Sequence, residues 1–260
     1  MDKPTQQQLL EAGVHFGHLR KKWNPKMSPY IFTERNGIHL IDLNTTVSGL
    51  ERAANAMRQI AKAGKKVLFV ATKKQAREIV TTAAKSVGMP FITDRWQGGM
   101  LTNFGTIKRS IRKMQNIERM LNDGTLDSVT KKERLTLTRE HAKMHKVLGG
   151  IADLNRIPSA MFIVDIVHEH LAVAEAKKLN LRTFGIVDTN ADPNSIDYPV
   201  PGNDDASKSI AIITEYLTAA IKQGLAERAA SKEQQQAKAE KQETKEKEVE
   251  KKEEEKQETA

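Results

Sequence analysis

The feature that most constrains this chain is a set of short, unbroken apolar runs set between stretches of helical periodicity: Val67-Leu68-Phe69-Val70-Ala71, Ala160-Met161-Phe162-Ile163-Val164 and Thr183-Phe184-Gly185-Ile186-Val187. A strand without polar alternation is buried on both faces, which requires helices above and below a parallel sheet. Amphipathic stretches at 46–63, 75–87, 169–179 and about 206–223 fall where those helices belong, and 90–93 offers a further strand. The pattern predicts an α/β doubly wound parallel sheet. Ahead of it, residues 30–33 and 38–41 flank Glu34-Arg35-Asn36-Gly37, and Asn-Gly supplies the positive φ angles of a tight hairpin turn.

One stretch breaks the alternation. Between Phe104 and Ile151 the apolar residues recur at helical spacing, with Phe104, Ile107, Ile111, Met114 and Leu121 on one stripe and Leu137, His141, Met144, Leu148 and Ile151 on another. Asn122-Asp123-Gly124 reads as a turn between them, and Thr130 with Glu133 as a capping box that starts the returning helix. The organisation expected is a discontinuous globular body, 1–103 and 152–227, an inserted helical hairpin, 104–151, and a Lys/Glu/Gln-rich mobile tail, 228–260. At ~1.5 Å per residue, an arm of about 18 residues reaches roughly 27 Å from the sheet.

Charge narrows the function. Lys and Arg total 42 against 33 Asp and Glu, and the surplus lies in the body, because the tail carries 9 cations against 10 Glu. The hairpin alone holds 11 cations and 5 acids, forgoing many of the i,i+4 pairs a free-standing hairpin would use. A cationic face is often mere solvation, but this excess favours phosphates as counter-ions. With no Cys, disulfides, thiolate zinc sites and cysteine nucleophiles are excluded. Neither a signal peptide nor an apolar run approaching the ~20 residues of a membrane span is visible, so the expectation is a soluble intracellular protein.

Ligands of doubly wound sheets bind beyond the carboxyl ends of the strands, where Thr72-Lys73-Lys74, Asp94-Arg95-Trp96, Asp165 and Asp188-Thr189-Asn190 fall. The loop after the first run lacks both G-x-G-x-x-G and G-x-x-x-x-G-K-[ST], so the dinucleotide and nucleoside-triphosphate readings lose their support. Gly98-Gly99 and Gly149-Gly150 read as hinges where the hairpin leaves and rejoins the sheet. No cofactor is required. Asp188, Asp204 and Asp205, with His18, are the residues a structural divalent cation would use, and they form no firm metal motif. An enzyme acting on a small phosphorylated substrate through Asp94, Asp165 and Asp188 is the alternative reading, and it rests on fold analogy.

Nucleic-acid signals are denser. Arg20, Lys21, Lys22 and Lys26 surround Trp23, Asn24 and a proline turn, a composition suited to phosphate contacts with a base or ribose on the indole. Arg95 and Trp96 repeat the theme beside Gly98, Gly99, Thr102 and Asn103 at the root of the hairpin. Lys73, Lys74, Lys108, Arg109, Arg112, Lys131 and Lys132 join the candidate RNA-contact set by charge alone.

Several of these segments occur together in one family. Leu9-Leu10-Glu11-Ala12-Gly13-Val14-His15-Phe16-Gly17-His18, Trp23-Asn24-Pro25-Lys26-Met27, Arg95-Trp96-Gln97-Gly98-Gly99-Met100-Leu101-Thr102-Asn103, residues 158–175, Ile186-Val187-Asp188-Thr189-Asn190 and Pro201-Gly202-Asn203-Asp204-Asp205-Ala206 resemble the bacterial small-subunit ribosomal protein two family. The resemblance spans roughly residues 5–225 and leaves the tail outside. It implies a flavodoxin-like domain with a helical coiled-coil insertion, bound to small-subunit rRNA between head and body. It further implies a structural constituent of the ribosome, cytoplasmic and ribosome-bound, that joins the subunit late. Its expected neighbours are other small-subunit proteins and the messenger RNA, near the exit where the large first protein of the subunit docks. Arg20, Trp23, Asn24, Lys26, Arg95, Trp96, Gly98, Gly99, Thr102 and Asn103 lie in matching motifs and are the contact candidates it carries over.

Overall fold

The computed structural model describes residues 3–123 and 130–231. A short helix, α1 (Gln6–Glu11), precedes a three-stranded antiparallel sheet of β1 (Phe16–Leu19), β2 (Ile31–Arg35) and β3 (Ile38–Ile41), in the order β1-β3-β2. Asn36 and Gly37 take φ of 53° and 75°, the turn expected between β2 and β3. The main body then alternates α2 (Leu43–Lys62), β4 (Val67–Val70), α3 (Lys74–Ser86) and β5 (Phe91–Ile92). After the hairpin helices α4 (Phe104–Asn122) and α5 (Lys131–Leu148) come β6 (Ala160–Val164), α6 (His170–Lys178), β7 (Arg182–Val187) and β8 (Tyr198–Pro201). A last helix, α7, covers 207–231.

The five strands of the main sheet are parallel, in the order β5-β4-β6-β7-β8. Numbered within the sheet this is 2-1-3-4-5, the flavodoxin-like order. Alternate residues of each strand feed two separate cores. Val67 and Phe69 of β4, with Phe162, Phe184 and Val200, pack against α2, α3 and α7; Leu68 and Val70, with Met161, Ile163 and Val187, pack against α6 and the root of α4. Register aligns an aromatic row across four strands: Phe69 with Phe162, Phe162 with Phe184, and Phe184 with Tyr198. Phe184 and Tyr198 stack at 4.6 Å, and such a pair adds about 0.5–1.5 kcal/mol beyond its burial.

Two of the helices differ from the sequence expectation. Phe104, Ile107, Ile111 and Met114 of α4 belong to the same core cluster as Leu68 and Met161. The proximal turns of the arm are therefore core, and its reach beyond the body is shorter than the helix. The final helix continues eight residues past Gln223, to 231, so the expected tail from Arg228 begins as helix. The remainder of the tail, and Gly124 of the expected turn, lie outside the described residues. Strand β8 carries Pro199 and Pro201, which a sheet edge tolerates. Thr130 does start α5, its hydroxyl accepting the N–H of Glu133 at 3.4 Å.

Candidate nucleic-acid interface

Beyond the carboxyl ends of the strands the charged side chains pair with one another, beside a cavity of about 430 Å³ lined by Thr72, Arg77, Asp94, Arg95, Lys146 and Glu169. Lys73, next after β4 and Thr72, places its ammonium 2.7 Å from Asp165, 2.8 Å from Asp204 and 2.7 Å from Asp205. His18 Nδ1 lies 2.9 Å from Asp188, and its Nε2 3.5 Å from Asp205. Asp165 adopts φ 63°, held there because its carboxylate accepts the N–H groups of Val167 and His168 at 3.0 and 2.9 Å. Glu169 accepts the Thr72 N–H at 2.9 Å and the Thr72 hydroxyl as well.

Burial and the neighbouring charges of Asp165 and Asp188 push the Asp204 carboxyl up to about 7, against the pull of Lys73. Burial acts to lower the Lys73 ammonium, but the charge of Asp204 and hydrogen bonds to Asp165, Asp204 and Asp205 outweigh it and raise its pKa. The hydrogen bond to Asp188 likewise raises His18, with burial opposing. A phosphate bound at this switch point would need the N–H groups after β4 and a cation. Here Thr72 gives both donors to Glu169, and Lys73 is shared among three carboxylates. The three acids of the enzyme reading do not form one constellation: Asp165 faces Lys73 and Asp188 faces His18, while Asp94 pairs with Arg77 and Lys146 at 3.2 and 3.3 Å. Of the cation candidates, Asp188 and Asp204 meet His18, with donor atoms within 4.8 Å of one another, and Asp205 faces Lys73 with one oxygen and His18 with the other.

The loop 95–103 is organised by a residue the sequence reading missed. Glu175 of α6 is 9% exposed and accepts five hydrogen bonds, from Trp96 Nε1 (3.0 Å), Gly99 N (2.8 Å), Leu101 N (2.9 Å), Thr102 N (2.9 Å) and Thr102 Oγ1 (3.1 Å). Although burial acts to raise its pKa, the N–H groups of Thr102 and Leu101, the Trp96 indole and the Gly99 N–H hold it below the ordinary glutamate value. Trp96 is 6% exposed with its indole N–H occupied, so no face is open for a base. Gly99 and Thr102 face the same carboxylate through their N–H groups, while Arg95, Gly98 and Asn103 remain exposed. The legible signal for Glu175 was a charge among Ala172, Val173 and Ala176, all on the buried side of α6. Gly150 is no hinge: a Cβ there would come within 2.1 Å of the Phe91 carbonyl, so it serves close packing of the returning chain on β5.

Segment 20–26 keeps its cations outward. Arg20, Lys21, Lys22 and Lys26 are exposed, and Trp23 is 37% exposed with its ring 5.1 Å from that of His39. Arg20 faces Glu34 at 3.3 Å and Lys26 faces Asp192 at 2.7 Å. Asn24 is a positioning residue: its carbonyl oxygen accepts the Lys26 N–H at 3.0 Å, and its own N–H donates to Thr189 at 2.8 Å. On the hairpin, Arg109, Arg112, Lys131 and Lys132 are exposed, Lys108 lies 5.8 Å over the Phe104 ring, and Lys113 pairs with Glu140. Lys74 is exposed at the start of α3, whereas Lys73 is committed to the crevice and does not join the outward set.

Fold and site together define a flavodoxin-like platform whose Lys73 is held by internal ion pairs and whose cations point outward from a loop and a helical hairpin. Residues 9–224 match the family model described as Ribosomal protein S2. The small ribosomal subunit protein uS2 of Cytophaga hutchinsonii is 57% identical over 230 residues, 88% of this chain and 91% of that one. Those of Parabacteroides distasonis and Bacteroides thetaiotaomicron are 56% and 55% identical, covering 89% and 88% of this chain and 84% and 82% of theirs. The chain belongs to the ribosomal protein S2 family, whose members are proteins of the small ribosomal subunit and are not named as enzymes. Among the described residues, no helix is long and apolar enough to cross a membrane.

Proposed function

We propose that this chain is a structural brace of the small ribosomal subunit in the cytoplasm, binding rRNA chiefly through phosphate contacts. The α/β body, 1–103 and 152–227, is the base, and the hairpin, 104–151, spans between RNA segments of head and body. The observation that carries the reading is the outward cation set at two places, residues 20–26 and the hairpin, beside a crevice whose charged groups satisfy one another. Phosphate contacts fix position without demanding sequence, and the exposure of Lys21, Lys22, Lys74, Arg95, Arg109, Arg112, Lys131 and Lys132, with half-exposed Lys108, supports assigning those contacts to them and stacking to Trp23. The same reading puts the chain near the messenger RNA exit, where it helps to dock the large first protein of the subunit.

The test is sedimentation of the full chain with small subunits depleted of it. Binding that is saturable and weakens with salt is expected, and binding absent at low salt overturns the proposal.

A further inference from the structure

A groove of about 1030 Å³ opens at the other end of the main sheet, between β5, α3 and the return of the hairpin. Of its charged residues only Lys146, one of the 11 hairpin cations, belongs to the charge excess that the sequence assigns to phosphates. Lys65, Lys66, Lys85, Lys146 and Arg156 line it, against the single acid Asp153. Lys66 donates to the Gly88 carbonyl at 2.7 Å, Lys85 sits 5.8 Å over the Phe91 ring, and Lys146 faces Asp94. Lys65 and Arg156 are exposed, with no side-chain partner among the described residues. Five cations around one trough, with one acid between them, are a poor arrangement for a free surface and a good one for a chain of phosphates.

Its position gives the groove a distinct role. Lys65 and Lys66 precede β4, and Arg156 precedes β6, so these cations lie at the amino-terminal end of the sheet, while Thr93 and Lys146 carry the groove along the β5 edge. Segment 20–26 is tied to the opposite end, where Asn24 donates to Thr189 and Lys26 pairs with Asp192, both just past β7. Strands β4 and β6, between the two ends, run four and five residues; at ~3.3 Å per residue they span about 13–17 Å, beyond the ~8 Å screening length at physiological salt. The two cation sets are therefore electrostatically separate.

We propose that this groove is a second RNA-backbone site, in which Lys65, Lys85 and Arg156 hold a strand of rRNA separate from the one at residues 20–26. The inference rests on the reading of the chain as an rRNA-binding protein. It is tested with the full chain and a small-subunit rRNA transcript, comparing wild type with Lys65→Gln, Lys85→Gln and Arg156→Gln, singly and combined. Each single change is expected to lower the slope of log affinity against log salt by about 0.7–0.9. The triple variant is expected to lose backbone protection of one RNA segment while keeping the protection that depends on residues 20–26. A wild-type chain without salt-dependent affinity refutes rRNA binding itself, and the groove with it. A wild type that binds, beside variants with unchanged slope and footprint, refutes the groove alone and leaves it to an acidic protein segment.

Discussion

The Glu175 carboxylate lies 3.0 Å from the Trp96 indole nitrogen, and this bond ties α6 to the loop from which the hairpin springs. The same carboxylate takes the N–H groups of Gly99, Leu101 and Thr102, so the start of α4 is set by one buried anion. Whatever the hairpin does at its distal end, it is aimed from this point.

Glu175→Gln keeps the shape and removes the charge, leaving an amide NH2 against donors that need an acceptor. A loss of about 3 kcal/mol is expected in urea unfolding of the full chain, since each hydrogen bond to a charged group is worth about 1.5–3 kcal/mol and a stranded donor adds its own cost. Because the folded-state pKa of Glu175 is depressed, its contribution is present above the unfolded glutamate value and is lost as pH falls through the folded one. The wild type should therefore lose stability below about pH 4.5, the ordinary glutamate value, more steeply than the Gln variant.

Asp204 works in the opposite sense. Its carboxyl titrates near 7 in the folded chain against 3.8 ordinarily, so between these values the folded state holds a proton that the unfolded state has released. Stability contributed at low pH is thus lost as pH rises from about 4 to about 7, by on the order of 2–4 kcal/mol. Asp204→Asn, which cannot ionise, should flatten the fall over that window, read from unfolding midpoints at pH 5, 6 and 7. An unchanged pH profile contradicts it.

Gly150→Ala places a methyl where the Phe91 carbonyl oxygen already sits, 2.1 Å from the added carbon. Backbone cannot yield as a side-chain tip does, and a loss of about 3 kcal/mol is expected, at the upper end for overpacking. Gly105→Ala, with nothing within 4 Å of its added methyl, is the matched control and should stabilise the helix slightly.

Lys108→Glu, Arg109→Glu and Arg112→Glu together should leave the thermal unfolding of the isolated chain near that of the wild type and lower its incorporation into small subunits. The salt slope of RNA binding should fall by at least 0.7–0.9 for each phosphate contact removed. Unchanged incorporation and slope would remove the hairpin from the interface.

Much of this was legible because buried parallel strands announce themselves: Val67-Leu68-Phe69-Val70 and Ala160-Met161-Phe162-Ile163-Val164 admit no other placement, and both are strands with every residue buried. Asn36-Gly37 set its turn by local sterics alone. Strand β1 stayed hidden because a four-residue run containing Gly17 and His18, partly exposed, carries no period. Strand β8 was masked by two prolines that only an edge accepts. At the site, the outward cations were readable from composition, whereas the burial of Trp96 was not. It depends on Glu175, 79 residues away, and on a carboxylate whose cost of burial is met by donors from a loop distant in sequence. Lys73 misled for the same reason, since its three acid partners lie 92, 131 and 132 residues on.

The most direct measurement is crosslink mapping between the full chain and rRNA within purified small subunits. Crosslinks are expected at Lys21, Lys22, Trp23 and along Arg109, Arg112, Lys131 and Lys132, with none inside the Lys73 crevice. A chain that sediments free of subunits, or whose crosslinks fall only in that crevice, would contradict the brace.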